Sequence, residues 1–152
     1  MFDVNEYDKK CINSYIKNII NDNLVLSMKN FIHHGKISTF DHSMNVAIVS
    51  YKICKFLKLN LDIKDLLIGS ILHDFTLYDW HDKNSPKLHG FVHSKIAALN
   101  AKKYFNVDKK VINIIESHMW PLNITKIPKS KEAIIICIAD KYCAIIESLF
   151  KR

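Results

Sequence analysis

Arginine is almost absent from this chain of 152 residues. Its 22 basic side chains are all lysines except Arg152. Only a guanidinium forms planar, bidentate hydrogen bonds to a phosphate group, so this way of clamping an anion is missing from nearly the whole chain. The net charge of +7 permits an anionic partner, but the lysines are scattered instead of clustered. We therefore expect a solvated lysine surface and do not expect nucleic acid as the partner.

Glycine and proline are also scarce, with three of each. Flexible linkers between domains are usually rich in these residues, and no repeat or low-complexity run takes their place. A chain of this length suits one compact domain. We therefore predict a single domain over residues 1–152, in which N-terminal helices at 4–33 pack on a helical core at 34–150.

Long apolar runs are missing as well, and none approaches the roughly 18 residues that a membrane-spanning helix needs. The first ten residues, MFDVNEYDKK, carry acidic side chains where a secretory signal has basic ones. The four cysteines include no CxxC pair and lie in apolar surroundings, which is typical of reduced, buried thiols. These features predict a cytoplasmic protein with no membrane association.

Strand patterns are almost absent, because no alternating run of β-branched residues is bounded by turns. Helical spacing dominates instead, and residues 75–92 are predicted to form a long polar loop. The predicted fold is therefore all-α, a compact bundle of about six to eight helices. Those helices are an N-terminal one marked by the spacing of Tyr7, Cys11, Tyr15 and Ile19, then 24–33, 41–57, one capped by Asp62, 94–104, one capped by Asp108, and 130–150.

A His-Asp pair ends the apolar run LLIGSILHD, at His73 and Asp74. Eight histidines and 11 aspartates give about 0.6 such pairs by chance in a chain of this length, so the dipeptide alone is a weak signal. A second pair, His81 and Asp82, lies in a polar stretch and is predicted to be solvated. Burying His73 and Asp74 without partners would cost about several kcal/mol. We therefore expect hydrogen-bond partners or a metal ion beside them.

Four further residues border helix-type apolar faces in the same way as this pair. Imidazole and carboxylate ligands together suit iron, manganese, nickel, cobalt or zinc. The sequence thus predicts a site for one or two divalent transition-metal ions. Its candidate ligands are His42, His73, Asp74, His93, His118 and Asp140.

The order of these six residues resembles that of the HD-domain metal-dependent phosphohydrolase superfamily, an all-helical family. The resemblance covers about residues 31–149 and extends to bacterial members with HDF-LYDWH and HMWPL segments, and to the branch that includes dinucleoside-polyphosphate hydrolases. The chain lacks the GYP motif of the cyclic-dinucleotide phosphodiesterases. It also lacks the arginine that mononuclear nucleotidases often have ahead of the position of His42.

The resemblance implies that His42, His73, Asp74 and Asp140 bind one metal ion. It also implies that His93 and His118 bind a second ion, with Asp74 as a bridge and with His89 as the alternative to His93. The implied reaction is hydrolysis of a phosphate ester or anhydride, in a nucleotide or related metabolite, by a water that the metal activates. His73 and Asp74 would be the catalytic pair at its centre.

Substrate contacts are predicted from position alone. With arginine nearly absent, phosphate contacts fall to lysines, and Lys141 and Lys95 are close in sequence to candidate ligands; His89 in the loop is a third candidate. The alternative is that these are solvated lysines and a solvated polar loop. A nucleotide-binding or sensing module without turnover also remains open.

Four further side chains lie near candidate ligands or before a turn. Trp80 and Trp120 are predicted to wall the substrate pocket, because each is close in sequence to a candidate ligand. His33 and His34 precede Gly35, and they are predicted to serve the pocket or the end of a helix, where a partly charged imidazole is favoured.

Overall fold

The computed structural model describes residues 4–150, and helices dominate it. A short 3-10 helix at Met28–Asn30 and an antiparallel hairpin, β1 (Ile32–His34) and β2 (Ile37–Ser38), complete this part of the chain. No helix in it is both long and apolar enough to cross a membrane. The predicted all-α class is confirmed. The seven α-helices are α1 (Glu6–Ile20), α2 (Asn23–Ser27), α3 (Thr39–Phe56), α4 (Ile63–Leu72), α5 (His89–Phe105), α6 (Lys109–Ser117) and α7 (Lys131–Phe150).

Three helices begin where the sequence predicts, because a polar side chain caps each of them. Asp62 before α4, Asp108 before α6 and Ser130 before α7 each accept a hydrogen bond from the backbone N–H three residues further on. Such a cap satisfies one of the N–H groups that the first turn of a helix leaves without a partner. The predicted starts of these helices are confirmed.

The central element of the bundle is α4. It packs against α1, α3, α6 and α7, while α5 packs mainly on α6. Gly69 permits the close approach of α4 to α6, because a Cβ at this position would lie only 2.5 Å from Cγ2 of Ile114. As a result, the C-terminal end of α4 lies among the other core helices, and the residues that follow it are buried.

The prediction of a helix over 24–33 is correct for 24–30 and wrong for 31–33. The chain leaves the 3-10 helix at Phe31 and forms the hairpin, whose turn contains Gly35 with φ 57°. The carbonyl oxygen of Phe31 accepts hydrogen bonds from the backbone N–H and the hydroxyl of Thr39, at 2.8 and 3.2 Å. These contacts close the hairpin at the start of α3, and they bring His33 to the buried end of that helix.

The helix predicted from Tyr7, Cys11, Tyr15 and Ile19 is confirmed as α1, but only Cys11 and Ile19 of these four pack against the core. Tyr7 and Tyr15 are 76% and 44% exposed, whereas Ile12 and Ile16 are buried in the core. Two sets of residues spaced by four run along this helix, and spacing alone does not identify which set meets α4. The shorter, branched side chains pack there.

The helix predicted at 94–104 begins five residues earlier, at His89. The chain enters it through Leu88, which has φ 61°. His93 therefore lies inside the helix instead of at its start, and the polar loop is correspondingly shorter than predicted. This shift matters for the site, because His93 can use a backbone carbonyl of its own helix as a partner.

Candidate metal centre

The six predicted ligands converge at the C-terminal end of α4. They are 0–8% exposed and come from five parts of the fold. We call them the histidine cluster: His42 in the first turn of α3, His73 and Asp74 directly after α4, His93 in α5, His118 directly after α6, and Asp140 in α7.

One half of the cluster contains two imidazoles and two carboxylates. Nε2 of His42 and Nε2 of His73 lie 3.1 and 3.6 Å from Oδ1 of Asp140. Oδ2 of Asp74 lies 3.2 Å from Nε2 of His73 and 3.8 Å from Nε2 of His42. The ligand atoms of His42, His73 and Asp140 all lie within 4.8 Å of one another, close enough to hold one cation.

The other half is built on the second oxygen of Asp74. Its Oδ1 lies 3.3 Å from Nε2 of His93 and 3.6 Å from Nε2 of His118. The two Nε2 atoms are 2.9 Å apart. Asp74 thus stands between two groups of nitrogen ligands with one oxygen facing each, an arrangement compatible with a second ion. That ion stays a prediction.

Three imidazoles are oriented by backbone carbonyls. Nδ1 of His73, His93 and His118 lies 2.7, 2.9 and 2.7 Å from the carbonyl oxygen three or four residues earlier in the chain. Since a carbonyl only accepts, each Nδ1–H must donate, which leaves the Nε2 lone pair directed at the cluster when the ring is neutral. Metal-binding histidines are typically held in this way.

The fourth imidazole is held by a carboxylate that sequence reasoning missed. Nδ1 of His42 lies 2.7 Å from Oε2 of Glu147, and the amide of Asn45 donates to Oε1 at 2.7 Å. Glu147 is fully buried. It follows Asp140 by seven residues, about two turns of α7, so both carboxylates face α3. This seven-residue spacing is the sequence signal that could have identified Glu147 as part of the site.

Two atoms of the histidine cluster test whether a metal ion fits. Among the described residues, Nε2 of His73 and Oδ1 of Asp74 are buried and have no hydrogen-bond partner. A buried polar atom without a partner costs about 1–3 kcal/mol, and native structures rarely leave one. A cation within the cluster would satisfy both atoms. The nitrogen and oxygen donors fit iron, manganese, nickel, cobalt or zinc.

Both carboxyl groups of the cluster are ionised. Burial alone would raise the pKa of Asp74 and of Asp140. Hydrogen bonds and charges from the surrounding imidazoles outweigh burial and hold both pKa values well below the usual range. Two anionic carboxylates therefore lie in a site from which water is largely excluded.

The imidazoles divide in their affinity for protons. Burial lowers the pKa of His42, but hydrogen bonds to Asp140 and Glu147 outweigh it and raise the pKa to about 9. Burial, together with the charges of His73 and His93, lowers the pKa of His118 to about 3. Protons thus balance the carboxylates when no metal is bound, and a metal ion must displace them.

A cavity of about 350 Å³ opens beside the cluster. Such a volume is in the range of sites for small molecules. Asp74, His93, His118 and Asp140 form its polar side, and Trp80 lines it as predicted, whereas Trp120 is outside the lining. The remaining lining residues are mostly apolar or aromatic: His33, His89, Gly90, Met119, Leu122, Lys141 and Ala144.

The structure brings two of the three predicted substrate residues to this cavity. Lys141 lines it, and its Nζ donates to the carbonyl oxygens of His118 at 2.9 Å and Cys137 at 3.3 Å. The ammonium is therefore held at the wall by the backbone. Lys95 is exposed and is not part of the lining.

His89, the other predicted substrate residue that lines the cavity, belongs to an aromatic wall. Its Nδ1 lies 2.9 Å from the hydroxyl of Tyr78, and its ring is nearly parallel to that of Trp80, with centroids 5.3 Å apart. Burial, reinforced by the charge of His93, lowers the pKa of His89 to about 4. The ring is therefore neutral at ordinary pH.

The hairpin adds a fifth imidazole to the site. Nε2 of His33 lies 3.4 Å from Oδ2 of Asp74, and its ring stacks on His42 with centroids 4.2 Å apart. His33 also lines the cavity. It is thus placed to act as a further ligand or to contact the substrate, in agreement with the predicted pocket role. The side chain of His34 lies outside the described part of the chain.

The fold and this site define a helical domain with a buried histidine and aspartate cluster suited to divalent metals. The family model of the HD domain matches residues 39–145, more than half of the chain. The chain therefore belongs to the HD domain family, whose members generally are metal-dependent hydrolases of small phosphorylated molecules. Neither the search of curated proteins nor the search of solved structures gives a match.

Proposed function

We propose that this protein is a metal-dependent phosphohydrolase that cleaves a phosphate ester or anhydride in a small metabolite, with nucleotides as the first candidates. His42, His73, Asp74 and Asp140 would hold one divalent ion. His93, His118 and the second oxygen of Asp74 would hold another.

One observation carries the proposal. Four imidazole Nε2 atoms meet two ionised carboxylates in a buried cluster, and two of the cluster atoms have no partner. A cluster that served only stability would satisfy its buried polar atoms from within. This cluster instead borders a cavity large enough for a small substrate.

When bound, divalent ions would lower the pKa of a water molecule and neutralise charge on phosphoryl oxygens. The residues of the chain have separate tasks. Ser70, His89 and Ile115 hold three imidazoles in orientation through their carbonyl oxygens, and Glu147 holds the fourth. These fixed contacts mean that little rearrangement is needed when substrate binds.

The walls of the cavity would receive the rest of the substrate. Met119, Leu122 and Trp80 exclude water from one side of the phosphate, and a dry site strengthens electrostatic interactions. Lys141 is held at the wall, where its positive charge would attract the anionic group. We keep Lys141 and His89 as proposed substrate residues.

The test is a measurement of metal content followed by a hydrolysis assay. We expect the purified protein to retain first-row metal through gel filtration. With that metal it should release inorganic phosphate or a nucleotide from at least one phosphate monoester, diester or anhydride. Protein that binds no first-row metal at any pH between 6 and 9 would refute the proposal. Metal and nucleotide binding without turnover would instead support a sensing module.

A further inference from the structure

The solvent-facing side of α7 is unusually apolar. Between residues 132 and 149, the only exposed polar side chain among the described residues is that of Ser148. The exposed side of α1, by contrast, carries Lys9, Lys10 and Lys17. We call the exposed apolar residues of α7 the outer face: Ile134, Ile138, Tyr142, Ile145 and Leu149, which are 45–62% exposed.

A continuous apolar surface that is exposed on a helix normally marks a site of contact with a partner. The inner side of α7 already packs on α3, α4 and α6. Within residues 4–149 nothing covers the outer face to a comparable extent, although the protein carries 21 lysines with which an exposed helix could be made polar. The composition of this helix therefore indicates a second packing partner.

The size of the outer face reaches the lower limit for a homodimer interface, about 1,000 Å² over both partners. With about 200 Å² for a large apolar residue, five residues that are half exposed offer on the order of 500 Å². A standard interface buries about 800 Å² on each partner. Leu122, 52% exposed, lines the same cavity as Ala144 of α7 and extends the apolar surface beyond the helix.

The order of residues on the outer face is nearly symmetric about Tyr142. Ile138 and Ile145 lie four residues before and three residues after it, and Ile134 and Leu149 lie eight before and seven after. An antiparallel copy of α7 would therefore place each isoleucine or leucine against an apolar residue of the partner. Such a two-fold pairing is self-complementary, as a symmetric dimer requires.

We propose that the outer face binds a second copy of this chain, with the two α7 helices antiparallel and the two-fold axis beside Tyr142. The antiparallel arrangement keeps the exposed Lys131 side chains of the two copies apart, whereas a parallel one would bring them together. It also places the helix dipoles in opposite directions. The second copy lies beside the rim of the cavity, because Ala144 and Leu122 line that cavity.

The first test is the oligomeric state of the full chain. We expect dimers by analytical ultracentrifugation from about 1 to 100 µM, and Ile138→Lys should raise the dissociation constant at least about 100-fold. Leu99→Lys is the matched control, because Leu99 is 61% exposed and lies on α5, outside the residues of the proposed interface. This variant should stay dimeric. Circular dichroism should show that both variants remain folded.

The second test maps the geometry by cysteine cross-linking, with Cys11 replaced by serine to remove the half-buried native thiol. Under mild oxidation Tyr142→Cys should form a covalent dimer. Ile134→Cys should not cross-link with itself, but it should cross-link with Leu149→Cys in an equal mixture.

Three outcomes would overturn the proposal. If the chain is a monomer at all concentrations, the outer face does not bind a second copy. If Ile138→Lys does not affect the dimer, the interface lies elsewhere. Self-cross-linking of Ile134→Cys would show a parallel pair. The proposal does not depend on hydrolysis, so an inactive dimer would still support it.

Discussion

Helix α4 has a polar cluster at each of its ends, a partly exposed one at its start and a buried one at its end, and the charges of the two clusters are balanced differently. The helix has ten residues and is about 15 Å long, so the same core surrounds both ends. We call the cluster at its start the acidic cluster: Asp62, Asp65, Lys110 and Glu132. The cluster at its other end is the histidine cluster.

The acidic cluster is complete in itself. Oε1 of Glu132 accepts from the backbone N–H of Asp62 at 2.9 Å and from Nζ of Lys110 at 3.0 Å. Lys110 also lies 3.3 Å from Oδ2 of Asp65, so one ammonium is shared by two carboxylates. Each charge has an opposite charge or a hydrogen-bond donor beside it. Such an arrangement has no need of a ligand.

The histidine cluster lacks a cation of this kind. Without metal its carboxylates are balanced by protons on imidazoles such as His42, and among the described residues two of its buried atoms have no hydrogen-bond partner. A metal ion bound from solution would offset the free energy cost of these unpaired buried atoms. We therefore expect that a polar cluster whose charges are all paired is structural, whereas one with unpaired buried atoms is functional, and the predictions below test that distinction.

The largest difference is expected when each cluster loses a carboxylate charge. Asp74→Asn should lower metal-dependent activity more than about 100-fold, because loss of a contact that merely supports a ligand already costs about 10- to 100-fold. Glu132→Gln is the matched control and should retain activity. Phosphate release and metal content measure both. Equal activity in the two variants would remove the distinction.

Glu147→Gln should weaken metal binding about 10- to 100-fold, because the amide supports the His42 imidazole less strongly than the carboxylate does. Titration with a competing chelator measures the affinity. Glu147→Asp, which keeps the charge on a shorter side chain, should recover part of it. Unchanged affinity in Glu147→Gln would show that Glu147 only packs against α3.

The pH dependence of stability should reverse when metal is removed. The pKa of His42 is raised to about 9 in the metal-free fold, so its contribution is full below about pH 6.5 and is lost as the pH rises through 9. Metal-free protein should lose on the order of 2 kcal/mol of unfolding free energy over this range. Metal-loaded protein should gain stability, because protons no longer compete. Urea unfolding at pH 6 and pH 9 compares the two forms.

The acidic cluster should affect stability alone. Burial raises the pKa of Glu132, but hydrogen bonds from Asp62 and Lys110 outweigh it and lower the pKa. Its contribution is therefore present above about pH 4.5 and is lost as the pH falls below this value. Glu132→Gln should lower the unfolding free energy by about 1–2 kcal/mol at pH 7. Thermal unfolding with and without metal should show the same difference, and a difference seen only with metal would contradict this.

The smallest effect is expected at Trp80. Its Nε1 is buried without a hydrogen-bond partner, and the residue lines the cavity. Trp80→Phe should leave thermal stability unchanged and raise KM less than about 10-fold if a substrate atom accepts from this N–H group. A change in kcat with constant KM would instead indicate that Trp80 acts on the histidine cluster.

Much of the fold could be predicted because its signals are local. Asp62, Asp108 and Ser130 start helices through contacts three residues away, so a short window of sequence contains both partners. The errors occurred where distant contacts decide. The hairpin depends on Thr39 closing onto Phe31, and the face of α1 depends on which side meets α4.

The sequence by itself determined the helical class, the family and the six candidate ligands, because periodicity and residue order are properties of the chain alone. Only the tertiary structure decided how those ligands meet: which oxygen of Asp74 faces which imidazoles, that Glu147 holds His42, and that the hairpin adds His33. His42 and Glu147 are 105 residues apart in the chain. Contacts over such separations form only when helices pack, and no local pattern encodes them.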